Sequence, residues 1–293
     1  MDLYMKKGIL FCCICIFIAW SCTKEEDSNE TLVPKPAGKY LSEIRTTISP
    51  FTLGISAKLV EFVYDDNRYL KTVKFYISET QQMQRHFDLF YTSDGLLDHI
   101  EATYAASNVM IDERFTYEDK KLVKIEGYKI EDSKTTLIGK TEFKVDEVNN
   151  AVEIYPYDLK DGVLVKRAYH QKYSFNTKGN LVKYHYNIGQ GGFFETMEDF
   201  MYDDRISPFA NLDIPYYNIV SSYFSLGECF SMNNVVRHNN YLHENGVSYE
   251  KPVFDTIIYK YEGKYPVETA EYSSYPGDPL ELKSQYFFKY IEL

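Results

Sequence analysis

Phe62-Val63-Tyr64, then Asp65-Asp66-Asn67-Arg68, then Leu70-x-x-Val73: this phrase decides the fold, because it returns along the chain. It comes back as Phe90-Tyr91 … Gly95 … Leu97-x-x-Ile100, as Phe115-x-Tyr117 … Leu122-x-x-Ile125, and as Tyr173-x-Phe175 … Gly179 … Leu181-x-x-Tyr184. An aromatic strand end, a polar turn and an aliphatic strand start make a β-hairpin. Anchors at positions 64, 91, 117, 145, 175 and 202 stand 26–30 residues apart. A period in that range predicts a repeat architecture whose single units are too small to bury their own apolar faces. Tyr261 and Tyr290 continue the series after a gap of about two periods.

The expected fold class is therefore all-β: repeated antiparallel β-hairpins forming a large curled meander sheet. Hairpins are expected to pair Lys58–Tyr64 with Leu70–Ile77, Arg85–Thr92 with Leu97–Tyr104, and Ile111–Tyr117 with Leu122–Tyr128. Two more pair Thr141–Val145 with Ala151–Tyr157 and Val163–Phe175 with Leu181–Tyr186. The break in period marks one short helical or irregular insertion near 203–256. Within it a short helix is expected over Ile214–Leu226, with Asp213 as N-cap and Gly227 as stop. A loop that interrupts a rigid scaffold is the natural place for a specific site.

Composition agrees with a β-rich chain: 28 Tyr and 19 Phe stand against one Trp, and aromatic side chains suit pleated, half-buried surfaces. The net charge is −11. A chain that acidic, with no basic stripe, is repelled by phosphate backbones, so nucleic acid is not an expected partner.

The N-terminus carries the strongest functional signal. Lys6-Lys7 precede an apolar run, Ile9–Trp20, too short to span a bilayer and suited to a signal-peptide core. Met5 opens a cleaner signal than Met1. The run ends Ala19-Trp20-Ser21-Cys22, which resembles a bacterial lipobox of the relaxed kind typical of Bacteroidetes lipoproteins. Lys24-Glu25-Glu26-Asp27 after it resembles the surface-export signal of the same group. The expected organisation is a signal peptide over 1–21, a lipidated Cys22 with a flexible tether over 22–38, and a single repeat-built β domain over 39–293. An ordinary signal peptide cleaved nearby, or an uncleaved anchor, is the plainer alternative. Cys229 would be the one cysteine left, excluding an intramolecular disulfide; a small buried hydrophobe is its expected role.

The phrase Tyr-Asp-x-x-Gly-x-Leu resembles that of YD-repeat proteins, although no copy here is complete. More of the chain, roughly 39–293, is similar to uncharacterised lipoproteins of Bacteroidetes. The matching residues are Tyr202-Asp203 … Ser207-Pro208-Phe209, Asn233-Asn234-Val235 and Tyr259-x-Tyr261 … Tyr265-Pro266. That resemblance implies a fold and a location but no activity.

Candidate chemistry is thin. His238 and His243 lie five apart, on neither one helical nor one strand face. No HExxH and no Cys/His cluster is present, so neither a metal nor another cofactor is expected. His86, His99, His170 and His185 read as sheet histidines. The carboxylate pairs Asp65-Asp66, Glu118-Asp119, Asp158 with Asp161, and Asp203-Asp204 coincide with expected turns, where Asp is favoured for backbone reasons. Calcium binding, or catalysis by facing carboxylates, is the alternative. Gly189-Gln190-Gly191-Gly192 lacks the Lys-Ser/Thr of a phosphate loop. Tyrosines crowd the insertion: Tyr216, Tyr217, Tyr223, Tyr241 and Tyr249, with Phe224. Their flat rings with polar tips suit a glycan or protein surface. The expected function is a non-catalytic, cell-surface, outer-membrane lipoprotein that binds a glycan or protein ligand. A structural or assembly subunit of an envelope complex, and a polysaccharide hydrolase with carboxylates on hairpin loops, are the alternatives.

Overall fold

The computed structural model describes residues 32–47, 56–188, 194–210, 212, 226–244, 247–248, 253–274 and 279–293. The first nine strands are β1 (Lys39–Thr47), β2 (Ser56–Tyr64), β3 (Leu70–Tyr76), β4 (Met83–Tyr91), β5 (Leu97–Tyr104), β6 (Met110–Glu118), β7 (Lys121–Glu131), β8 (Lys134–Asp146) and β9 (Ala151–Lys160). They are followed by β10 (Val163–Lys166), β11 (Tyr169–Phe175), β12 (Leu181–Ile188), β13 (Phe194–Ile206) and a one-turn helix α1 (Leu226–Cys229). The chain ends with β14 (Asn233–Glu244), β15 (Val247–Ser248), β16 (Val253–Glu262), β17 (Tyr265–Ser274) and β18 (Glu281–Glu292).

The meander closes on itself. β1 pairs with β2 on one side and with β18 on the other, and every pairing is antiparallel. Among the described residues this gives a ring of 16 strands. The short strands β10 and β15 lie beside the far ends of β9 and β14, next to β11 and β16 in the ring. Closure removes the unpaired edges that an open sheet of this length would expose.

The period-2 pattern sets the two faces. Phe62, Val73, Phe87 and Ala102 are register partners across β2–β5, and all are buried. Their neighbours Thr72, Asp88 and Glu101 form the matching row on the outer face. That outer face is laced with ion pairs: Lys289–Glu43 at 2.9 Å, Arg45–Glu43 at 2.8 Å, Lys124–Glu126 at 3.0 Å and Lys140–Glu142 at 2.6 Å. The apolar side chains therefore point into the barrel and the charges point out of it.

The repeated tyrosine has a mechanical role. Its hydroxyl donates to a main-chain carbonyl at the start of the preceding unit. Tyr64 reaches Leu41 at 2.8 Å, Tyr91 reaches Leu70 at 2.9 Å, Tyr290 reaches Pro266 at 2.9 Å, and Tyr202 reaches Leu181. The residue after the anchor then fixes the turn. Asp65 accepts from the N–H groups of Asn67 and Tyr69, and Asn176 accepts from those of Lys178 and Asn180. Gly95 and Gly179 take the left-handed conformation the turn needs, with φ of 82° and 80°. Tyr117 occupies the same place in the series, but its buried hydroxyl meets no partner among the described residues. Tyr91→Phe is thus expected to cost about 1 kcal/mol in urea unfolding, while Tyr117→Phe is neutral or slightly stabilising. Equal costs would remove the stitch from the account of the repeat.

The barrel's inner rows change character along its axis. At the repeat-turn end they are aliphatic: Leu41, Leu70, Leu97, Leu122 and Leu181 are 0–3 % exposed. The segment between β13 and β14 packs onto this end, with Phe209 edge-on to Phe288 at 6.2 Å and Phe230 against Tyr173 at 5.3 Å. Towards the opposite end the same faces carry Arg85, Asp158, Gln171, Tyr186, Glu198, His238, Asp255 and Glu271.

Several expectations are corrected here. The irregular insertion is narrower than 203–256, because β13 runs to Ile206, β14 starts at Asn233 and β16 starts at Val253. Asp203 and Asp204 lie in the end of β13, and Asp158 lies in β9, rather than in turns. Val163–Phe175 is two strands, not one. Gly227 does not stop a helix. It sits inside α1, where an added Cβ would come within 2.3 Å of the Phe200 ring, so close packing explains the glycine. The helix expected over 214–226 falls almost wholly outside the described residues.

Candidate functional site

The polar half of the barrel interior is built by strands whose turn-proximal halves are locked into the apolar core. Two features meet there.

The first is an imidazole between two carboxylates. Phe200 and His238 are register partners on β13 and β14, and their rings stack at 4.9 Å with planes 12° apart. Asp255 is the partner of His238 on β16. His238 Nδ1 lies 3.5 Å from Asp255 Oδ2, and Nε2 lies 3.1 Å from Glu198 Oε2. The Nε2 contact is close but falls outside strict hydrogen-bond geometry, and Glu198 acts on the imidazole through this short contact and through its charge. Burial works against the imidazolium, yet contacts with Asp255 and Glu198 outweigh it and push the pKa up to about 9. Burial alone would raise the Asp255 pKa. Its contacts with His238 and Ser273, and the charge of Lys283, bring it below the usual carboxylate range instead. Lys283 Nζ stands 3.6 Å from Asp255 Oδ1 and 3.5 Å from Glu271 Oε1. Ser284 donates to Glu271 at 2.8 Å. The groups are mutually neutralising, which suits a latch across β13, β14, β16, β17 and β18. Among the described residues no set of three or more His, Cys, Asp or Glu has the arrangement to hold a metal ion.

The second feature is a cavity of about 250 Å³ on the inner face of β6, β7, β8, β9 and β11. Its apolar lining is Ile125, Phe143, Ile154 and Pro156, and its polar lining is Glu113, Thr141, Tyr169, Gln171 and Tyr173. The Tyr173 hydroxyl donates to Gln171 Oε1 at 3.2 Å. Tyr169 packs on Tyr186 at 5.1 Å, and Tyr173 packs on Tyr184 at 5.4 Å. Burial holds the Tyr173 and Tyr184 hydroxyls well above the ordinary phenol range, and the charge of Glu198 adds to this. Glu198 is therefore electrostatically coupled to both features.

Cys22, Tyr216, Tyr217, Tyr223, Phe224 and Tyr249 fall outside the described residues. Tyr241 is placed in β14, where its backbone partner is Met197. His243 is on the same strand. Among the carboxylates, Asp65 serves backbone N–H groups, and Asp203 accepts from the N–H of Arg205, the Asn234 side chain and the Tyr261 hydroxyl. Glu198, Glu113 and Gln171 were not singled out by sequence, and His238 was weighed only against His243 and set aside. Their one visible signal is a polar residue at an inward position of an otherwise apolar strand face.

No protein-family model and no curated protein matches the chain. Solved structures do. A porin-like protein from Bacteroides uniformis superposes with a TM-score of 0.51 at 12% identity, over 90% of this chain and 100% of its own. A porin-like protein from Bacteroides vulgatus gives 0.49 at 13% identity, over 87% and 100%. At such identity the likeness is one of fold.

Proposed function

We propose that this chain is a non-catalytic binding module held at the outer membrane by lipid on Cys22, facing the cell exterior, with its ligand received in the polar end of the barrel. The observation that carries the proposal is the cavity beside Tyr169 and Tyr173, whose lining mixes polar side chains with apolar ones on the inner sheet face. That is the usual composition of a ligand site. The outward charge supports a barrel that stands in water on a tether. A membrane-spanning barrel presents an apolar band about 25 Å tall to lipid, with its polar residues inside. Here the Lys289–Glu43, Lys124–Glu126 and Lys140–Glu142 pairs occupy outward positions. The likeness to porin-like Bacteroides proteins supports an outer-membrane or surface setting.

Metabolic labelling with a fatty acid is expected to mark the wild type and not Cys22→Ala, and protease added to whole cells is expected to remove the protein. Unlabelled wild type would end the anchoring proposal, and full protease resistance would end the exterior one. The full chain, purified in detergent, is expected to retain a ligand on glycan and protein arrays. Silence on both would turn the assignment towards an assembly subunit of the envelope.

A further inference from the structure

Resting on the anchoring proposal, we infer that the barrel stands with its repeat-turn end towards the membrane and its polar end towards the medium. The surface it offers is then the polar end, and the partner it fits is water-borne. Where the chain enters the barrel is the first observation. β1 starts beside the end of β2, with the Tyr40 and Tyr64 rings edge-on at 5.2 Å. Gly38 and Leu293 exchange N–H···O bonds of 3.1 and 3.0 Å, which ties the start of β1 to the end of the chain. Residues 33–38 then lie across the first repeat turn. The Lys35 N–H donates to the Asn67 carbonyl at 3.0 Å, and the Arg68 guanidinium donates to the Lys35 carbonyl at 2.6 Å. The Tyr69 hydroxyl donates to the Val33 carbonyl at 3.1 Å, while the Lys35 ammonium lies over the Tyr69 ring at 4.7 Å. The Tyr40 hydroxyl donates to the Pro36 carbonyl at 2.6 Å. These bonds strap the segment onto the repeat-turn end.

Reach turns the strap into an orientation. Ten residues separate Leu32 from Cys22, and a chain of that length spans at most about 33–36 Å. A 13-residue strand such as β8 is about 43 Å long and, at the usual barrel tilt, rises roughly 30–35 Å along the axis. A barrel with its polar end at the membrane therefore needs the tether drawn out straight along the whole wall, which costs nearly all of its conformational freedom. The opposite pose needs none of that reach. Were residues 33–38 released, the free chain would start at Lys39 and reach about 55–60 Å, enough for either pose. A ligand dissolved in the membrane would meet the end closed by Leu41, Leu70 and Leu97, all buried. A ligand in the medium meets the polar end.

The test is energy transfer from a fluorophore on the lipidated full chain to acceptor lipids in reconstituted vesicles. The dye is carried on a click-reactive residue at Val148, in the β8–β9 turn, or at Val163, in β10 at the opposite end. These positions are 94 % and 64 % exposed, so neither replacement disturbs the core. Transfer is expected to be stronger from Val148. Arg68→Asn with Tyr69→Phe removes the bonds to the Lys35 and Val33 carbonyls, while Asn tolerates the φ of 68° and Phe keeps the ring. In this variant, its fold verified by melting curves, the two transfers are expected to converge. They are expected to converge as well when a long Gly-Ser linker is inserted after Thr31, a change that leaves the barrel itself untouched. Equal transfer from the two sites in the wild type, stronger transfer from Val163, or a difference unchanged in both variants would each overturn the inference. Fatty-acid labelling separates its failure from that of the parent proposal. A labelled wild type with the wrong ranking leaves an anchored barrel in another pose, whereas an unlabelled wild type removes the anchor itself.

Discussion

His238→Ala is expected to lower the unfolding free energy by about 3–5 kcal/mol, the range for a buried charge pair that loses one partner. The reason is what stays behind. Asp255 is 6 % exposed, and the Glu198 side chain is 16 % exposed. Both are tied to the imidazole, at 3.5 Å and 3.1 Å. Without it the barrel holds two inward carboxylates, of which Asp255 keeps Lys283, itself half exposed and also facing Glu271. The Phe200 stack is lost as well. The same cluster sets a pH dependence whose sign is fixed by the two pKa directions. His238 titrates near 9 when folded against an ordinary 6.5. Its contribution is complete below 6.5 and disappears as the pH climbs through 9, a loss of about 3 kcal/mol at 1.36 kcal/mol per pH unit. Asp255, held low, contributes above its ordinary 3.8 and loses that contribution as acid protonates the folded form. Thermal melts at pH 6 and pH 9.5 are expected to differ for the wild type by several degrees more than for His238→Gln. Parallel pH profiles for the two proteins would show that the imidazole does not carry this stability.

Much of the barrel was legible because hairpin formation is local. The alternation in Leu70–Tyr76 or Leu97–Tyr104, and the Asp65 and Gly95 turns, lie within stretches that one strand pair fixes. Closure was not legible. It depends on Ile44 meeting Phe288 across the whole length of the domain, and nothing near either residue states that pairing. The insertion was drawn too wide because Asp203-Asp204 reads as a turn. In the structure Asp203 instead receives hydrogen bonds from Asn234 and Tyr261 at a strand end. Gly227 was taken for a backbone breaker, when its function is to let the Phe200 ring come close. His238 was passed over for a related reason. Spacing rules weigh residues within one element, and its partners sit on two other strands, brought into range only by the register of β13, β14 and β16.

Phe75→Ala is the second large effect expected, about 3–5 kcal/mol in urea unfolding, and it tests the polarity of the barrel. Phe75 is 0 % exposed on the inner face of β3. The Phe87 ring meets it at 5.5 Å and 74°, and the Arg85 guanidinium lies over it at 4.4 Å. Truncation opens a void beside a charged group that loses its aromatic cover. Phe90, on the outer face of β4, is 40 % exposed and stacks on His99 at 4.2 Å. Phe90→Ala is expected to cost less than about 1 kcal/mol in water, as surface changes away from the core do. A barrel that buried its outside in lipid would invert this ordering once reconstituted in a bilayer, because the outward aromatic would be the solvated one. Equal sensitivity at the two positions in aqueous buffer, or a larger loss at Phe90, would mean that the apolar interior is not what holds the 16 strands together.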